Sequence, residues 1–348
     1  MLRHSLVSRR GSMVDADRPS MSEGTVSVII PVRNRAGMLR EALGSVLKQT
    51  YGSIELFIVD DGSTDETSEV AQALEKENAG VVRMLSQANA GPGAARNLGL
   101  QHARGEFVQY LDSDDLIEPR KFEWQVRALQ DNPWAGVAYG LTRRVNLATG
   151  ETRDWARTGE DIENIFPSFL MKRGWDTNAP LWRRSSCEAI GPWLELCCME
   201  DWEHDLRAGL LGIKPVRVDA HVATVRDHTG PRSSGMNTGF TPDLTRDVFL
   251  AHRSIWRRMK AAGRTDWSYL EEFSRKLFWI ARMCGERGLL AEAEEALAIA
   301  DEMMAGRSAA KRLRLFRAMV RVLGWRRAVA LGERARRGGW QSGATALA

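Results

Sequence analysis

The sequence of 348 residues holds no run of about 18 apolar residues, which excludes a membrane-spanning helix. Its opening stretch, MLRHSLVSRRGSMVDADRPSMSEG, lacks the apolar segment of a secretory signal. Residues 1–24 therefore read as a disordered leader, with Met13 or Met21 as an alternative start. Cysteine is sparse: Cys187, Cys197, Cys198 and Cys284 form no CxxC pair and no regular framework. That argues against a zinc site and for reduced thiols in a cytosolic protein. A strong charge of either sign is missing as well, and the net +4 says little about partners. There is no internal repeat and no low-complexity segment. What remains is an apolar content of 43% and a charged content of 27%, enough for one large catalytic domain with a smaller appendage.

The first half alternates in period. Val26–Pro31 is a short, largely apolar run, as expected for a buried parallel strand, and Ile54–Val59, Val81–Leu85 and Phe107–Leu111 read as further strands. Between them Arg35–Gln49, Thr64–Asn78 and Gly93–Ala103 carry apolar residues at helical spacing. This β-α-β-α-β-α-β order predicts an α/β fold, a doubly wound and mostly parallel sheet with helices on both faces. Such sheets bind ligands beyond the carboxyl ends of their strands. Four polar clusters follow strand ends here: Pro31–Arg35, Asp60–Asp65, Gln87–Asn97 and Asp112–Asp115. After Pro119 the pattern is mixed, and beyond Phe240 it is helical. The turn-rich stretch SSGMNTGFTP predicts a boundary near Gly235–Pro242, dividing residues 25–235 from a helical region, 236–348.

The acidic run Asp112-Ser113-Asp114-Asp115 has two readings. Alternate carboxylates beyond a strand can hold a hard cation such as Mg²⁺ or Mn²⁺, which would neutralise a diphosphate. The same residues also make good helix caps, although three crowded acids without a counter-ion repel one another. Asp61 in Val-Asp-Asp-Gly-Ser can accept hydrogen bonds from a base or ribose, or cap the next helix. Gln87–Asn97 brings small residues before a helix and an arginine, Arg96, suited to phosphate. Gly91-Pro-Gly93 begins like a dinucleotide fingerprint, but Arg96 stands at the third glycine and the segment follows the third strand. Glu200–Asp205 offers either a general base or a solvated acidic helix start.

Together VSVIIPVRNR, SVLKQTY, ELFIVDDGSTDET, NAGPGAARNLGL, GEFVQYLDSDD and GPW…MEDWEHDLR closely resemble the family-2 glycosyltransferases, over roughly residues 25–230. The resemblance implies a GT-A fold and inverting transfer from a nucleoside-diphosphate sugar to a saccharide or lipid-linked hydroxyl. By position, Pro31, Arg33 and Asp61 would line the nucleotide pocket and Arg96 would lie near the diphosphate. Asp112 and Asp114 match the family's DxD, Asp114 as metal ligand and Asp112 alternatively serving ribose. Asp115 and His228 are further metal candidates, and Asp201 matches the catalytic base. The segment Trp175–Arg184 falls where the family builds its acceptor side, so Trp175 and Trp182 would stack on sugar rings or fill the core. GPWLELCCMED departs from the family's usual Gly-Gly-Phe-Asp-Glu, so acceptor specificity does not carry over. Other readings are a nucleotidyltransferase, for which PVRNR lacks the early glycine-rich loop, or an inactive sugar-nucleotide-binding scaffold.

From Arg307 onward arginines interleave with Leu313, Phe316, Val320, Leu323 and Trp325 on one helical face. That face could rest on the inner surface of an anionic membrane as a peripheral contact, or pack as a helical hairpin with its arginines solvated. No nucleic-acid module accompanies the charge, so nucleic acid is not an expected partner.

Overall fold

A computed structural model describes residues 22–230, 239–307 and 309–337. Most of the leader and Gly235 itself, where the boundary was expected, lie outside the described residues. The chain runs β1 (Ser22–Val32), α1 (Ala36–Leu47), β2 (Ile54–Asp61), α2 (Thr67–Glu77), β3 (Val82–Gln87), α3 (Pro92–His102) and β4 (Gly105–Tyr110). The mixed segment supplies β5 (Leu116–Ile117), α4 (Lys121–Asp131), β6 (Ala135–Asn146), β7 (Thr152–Asp154), α5 (Ile165–Ser168) and β8 (Leu181–Arg183). Then come α6 (Arg184–Ile190), α7 (Glu200–Leu210) and β9 (Lys214–Asp227), followed by α8 (Pro242–Ala261), α9 (Trp267–Glu286), α10 (Leu290–Met303), α11 (Ala309–Leu323) and α12 (Trp325–Arg337).

The strands make one sheet in the order β3-β2-β1-β4-β8-β6-β9-β5, with β7 paired to β6. β1, β2, β3 and β4 are mutually parallel. β8 runs antiparallel to both β4 and β6, and β9 runs parallel to β6. Two reversals restore direction, so β6 and β9 point the same way as β1 to β4. The carboxyl ends of β1, β2, β4 and β9, and the amino end of β8, therefore open on one edge of the sheet.

The apolar runs have a direct cause: both faces of the central strands are buried. Alternation sends Val26, Val28, Ile30, Leu56, Ile58 and Phe107 into one core beneath α1, α2 and α4. Ile29, Phe57, Val59, Val108 and Tyr110 enter the other, which α3, α6 and α7 share with the C-terminal helices. The helical region is thus continuous with the sheet core. At the join the His252 ring stacks on Trp202, centroids 4.4 Å apart, and faces Phe273 at 5.7 Å. Lys276 Nζ of α9 donates to the carbonyls of Met171 and Leu170 at 2.8 and 3.2 Å, fixing the loop after α5.

The basic C-terminal stripe packs inward. Leu313, Phe316, Val320 and Trp325 are all buried, and Phe316 meets Phe278 edge-on at 4.9 Å. Burial of these groups against α9 is worth more than any surface contact they could make, so they are not the face of a membrane contact.

Burial pulls the His252 imidazole down to about 3, with the charge of Lys276 adding to that and a bond to the Val248 carbonyl opposing it. Burial likewise pulls His204 down to about 4. The unfolded chain protonates these rings below their ordinary value near 6.5 while the native protein does not, so stability falls as pH drops through that window. Between pH 6.5 and 4.5 the loss from His252 is about 2–3 kcal/mol at roughly 1.4 kcal/mol per unit. Urea midpoints over that range should fall, and a His252→Gln variant should show a shallower fall than the parent; equal slopes would refute the assignment.

Candidate active site

Arg96 organises the edge. It leaves α3 with a side chain only 3% exposed, and its Nη2 donates to Asp112 Oδ1 and its Nη1 to Glu200 Oε1, each at 2.8 Å. Its guanidinium carbon lies 4.6 Å from the Trp193 ring centroid, and Trp193 stacks on His204 at 4.0 Å. Burial works against the Arg96 charge, but Asp112 and Glu200 more than offset it and raise its pKa. Burial also raises Asp112, against the pull of Arg96. Glu200 is pushed up to about 7 by burial and by neighbouring Asp201. The expectation that Arg96 would meet a diphosphate is therefore not what the structure displays: its donors face two carboxylates.

The acidic run divides into three roles. Asp115 is buried, with Oδ1 accepting from the Arg226 backbone N–H and Oδ2 from Asn178 Nδ2, both at 2.8 Å. Burial raises it well above the usual carboxylate range, with Asp114 and Asp112 adding to the shift. Both Asp115 carboxylate oxygens are thus engaged by groups of the chain itself. Asn178 also receives the Asp112 backbone N–H at 2.8 Å, so one amide braces both ends of the turn. Asp114 faces the edge, and its Oδ2 stands 2.9 Å from Nε2 of His228, just past β9, and 2.7 Å from Arg35 Nη1.

Asp61, at the end of β2, is buried and accepts from Gln87 Nε2 and the Ala90 N–H at 2.8 Å and from the Gly91 N–H at 2.9 Å. It caps the loop opening α3, where the helix dipole favours a carboxylate. Three of its roughly four acceptor positions are occupied by these donors. Pro31 is buried in the β1 ladder opposite Val59, and Arg33 is exposed just beyond it. Burial raises the Cys197 thiol; Asp247, Glu200 and Asp61 add to this and Arg33 opposes it, so these groups stand within electrostatic reach of one another. Gly93, in the first turn of α3, serves packing: a Cβ there would lie 2.0 Å from the Leu194 carbonyl oxygen.

Asp201 lies in the first turn of α7. Its Oδ1 accepts from the Trp202 N–H at 2.7 Å, and its Oδ2 from Thr177 Oγ1 at 3.1 Å and from Arg173 Nη1. Arg173 is held in turn by Asp205, with Nη2 at 2.8 Å and Nε at 2.9 Å. Burial would raise Asp201, but Arg173 and Arg96 outweigh it and leave the carboxyl below its ordinary value. Trp175 and Trp182 are both 1% exposed, and Trp175 Nε1 donates to Asp205 at 3.0 Å. They support the site from beneath and offer no face to a sugar. Among the described residues no three His, Cys, Asp or Glu side chains gather as a closed metal site.

Sequence reasoning named the segments that hold Arg35, Thr177, Asn178 and Glu200 without singling these residues out, and it passed over Arg173. Thr177 and Asn178 sit in the polar interval of Trp175–Trp182, a visible signal; Arg173 carried none.

Acidic, imidazole and guanidinium groups thus gather on the carboxyl edge of an α/β sheet, where such sheets bind their ligands. Residues 27–186 match the family described as Glycosyl transferase family 2. It is 34% identical over 179 residues to the glycosyltransferase GlyG of Streptococcus pneumoniae, an alignment covering 51% of this chain and 57% of that protein. Curated relatives are matched over about a quarter to just over half of their own length. The fold is similar to S. aureus TarS residues 1–349 in complex with UDP-GlcNAc, with TM-score 0.60, 18% identity, and 91% and 93% of the two chains covered. It is also similar to the mannosyltransferase PcManGT of Pyrobaculum calidifontis in complex with GDP-Man and Mn²⁺, with TM-score 0.50, 17% identity, and 89% and 85% covered.

Replacing Arg96 by Met would leave Asp112 and Glu200 buried without their cation, a change costing about 3–5 kcal/mol. Arg96→Met should lower the urea midpoint accordingly, and Arg96→Lys, which keeps charge but not the fork, should recover only part. A midpoint within error of the parent would contradict the bridging role.

Proposed function

We propose that the chain is an inverting glycosyltransferase that moves a sugar from a nucleoside-diphosphate donor to the hydroxyl of a saccharide or lipid-linked acceptor, in building a surface polysaccharide or glycolipid. The observation that carries this reading is the convergence of Asp61, the Asp114–His228 pair and Asp201 on one edge of the sheet. Asp61 offers its remaining acceptor position to the base, and Pro31 and Arg33 border the same end of β1. Arg96 acts by setting Asp112 and Glu200. The neighbouring folds hold UDP-GlcNAc in TarS and GDP-Man with Mn²⁺ in PcManGT, which supports a nucleotide-sugar donor here.

Asp114 and His228 are the residues that would hold Mn²⁺ or Mg²⁺. One carboxylate oxygen and one imidazole nitrogen 2.9 Å apart fit a hard cation that takes its other ligands from phosphate and water. When bound, such a cation neutralises the diphosphate and makes it a better leaving group. Asp201 takes the proton from the acceptor hydroxyl as that oxygen attacks the anomeric carbon opposite the nucleotide. The lowered pKa keeps Asp201 ionised at neutral pH, and Arg173 with Thr177 fixes where it points. General-base catalysis contributes about 10²–10⁴-fold. Asp201→Asn should therefore lose turnover by about that factor while retaining donor binding by calorimetry. Unchanged turnover would remove Asp201 from this role.

A lipid-linked acceptor suits a protein that rests on a membrane. On α11 and α12, Leu315, Val322 and Leu331 are exposed beside exposed Arg314, Arg321, Arg326 and Arg327. No helix among the described residues is long and apolar enough to cross a bilayer. We assign this second face, in place of the buried stripe, to peripheral contact with anionic lipid. Vesicles containing phosphatidylglycerol should retain the protein at low salt, and Leu315→Glu with Val322→Glu should reduce retention. Equal partition onto neutral vesicles, or none onto either, would contradict it.

A further inference from the structure

The corner between β1 and α1 puts a cation of the chain's own where Asp114 and His228 converge. Arg35 Nη1 is 2.7 Å from Asp114 Oδ2 and 2.7 Å from His228 Nε2, which are themselves 2.9 Å apart. A guanidinium nitrogen carries only donors, so the imidazole meets it with the Nε2 lone pair, the same lone pair that ligates a metal. Oδ2 and Nε2 then stand side by side as two acceptors, an arrangement that a positive charge touching both stabilises. The backbone beneath is fixed. The Arg35 N–H donates to Thr67 Oγ1 at 2.8 Å, the Asn34 N–H to Ser63 Oγ at 3.0 Å, and Asn34 Oδ1 accepts from the Thr64 N–H at 2.8 Å. The side chain above it is long and 18% exposed, so it can swing without moving the loop.

We propose that Arg35 is an internal counter-ion of this site, competing with a divalent cation for Asp114 and His228. The inference rests on the reading of that pair as the metal position. Two cations cannot share the same oxygen and nitrogen at these distances, so the guanidinium leaves when the metal enters. Without a donor, Arg35 balances the crowded carboxylates of the acidic run. With one, the diphosphate arriving with the metal gives the displaced guanidinium a new anionic partner. Arg35 would thereby tie metal loading to donor binding and weaken the site for metal alone.

The test is a titration of Mn²⁺ alone into the full chain, following free Mn²⁺ by its electron paramagnetic resonance signal. Removing a charge-assisted competitor should tighten Mn²⁺ binding by about tenfold in Arg35→Ala and also in Arg35→Gln, which keeps length and hydrogen bonding without charge. Asp114→Ala should abolish the same binding. Unchanged or weaker affinity in both Arg35 variants, with loss in Asp114→Ala, would overturn the competition while leaving the metal position intact. If the parent and Asp114→Ala bind Mn²⁺ equally, the metal position itself fails, and the proposal with it.

Discussion

The buried fork of Arg96 is the interaction on which the site depends. One guanidinium ties the turn after β4, through Asp112, to the start of α7, through Glu200. These segments are far apart in sequence, and each carries acids that would repel without a shared cation. With Arg96 between them, Asp112 and Glu200 are held in fixed relation. The transfer proposed above would need that fixity, because orientation of reacting groups supplies much of a rate enhancement.

The acids of the edge are each held by a group of an arginine, through its side chain for Asp114 and Asp201 and through its backbone for Asp115. Arg173 holds Asp201 and is locked by Asp205; the backbone N–H of Arg226 holds Asp115; Arg35 reaches Asp114. The C-terminal helices contribute from beneath. Lys276 fixes the loop leading to Arg173, and His252 stacks under Trp202, the residue after Asp201. The helical region thus packs directly against the segments that carry Arg173 and Asp201.

The strands of the first half were legible because β1, β2 and β4, buried on both faces over most of their length, are rich in apolar residues, and β3 at the sheet edge keeps Val82, Met84 and Leu85. Their polar successors marked the edge for the same reason. β6 and β9 were harder to see: they are long, half-buried and form a crossover pair whose register shifts at Tyr139–Leu141. Adjacent aspartates look alike in sequence, whereas the fold brings Asn178, 63 residues on, to hydrogen-bond Asp115. Arg96 had the chemistry for phosphate, and only the fold reveals that Asp112 and Glu200 already occupy its donors. The C-terminal stripe was correctly amphipathic, but periodicity does not say whether an apolar face meets lipid or α9.

The central claim is that donor and cation meet at the Asp114–His228 pair, across the edge from Asp201. Diffraction from crystals grown with a nucleoside diphosphate and Mn²⁺, recorded at the manganese absorption edge, tests it most directly. The account predicts one anomalous peak within ligating distance of Asp114 Oδ2 and His228 Nε2, bridged to the diphosphate, with Arg35 moved off both atoms. A manganese peak elsewhere, or a nucleotide bound away from Asp61 and Asp114, would contradict it.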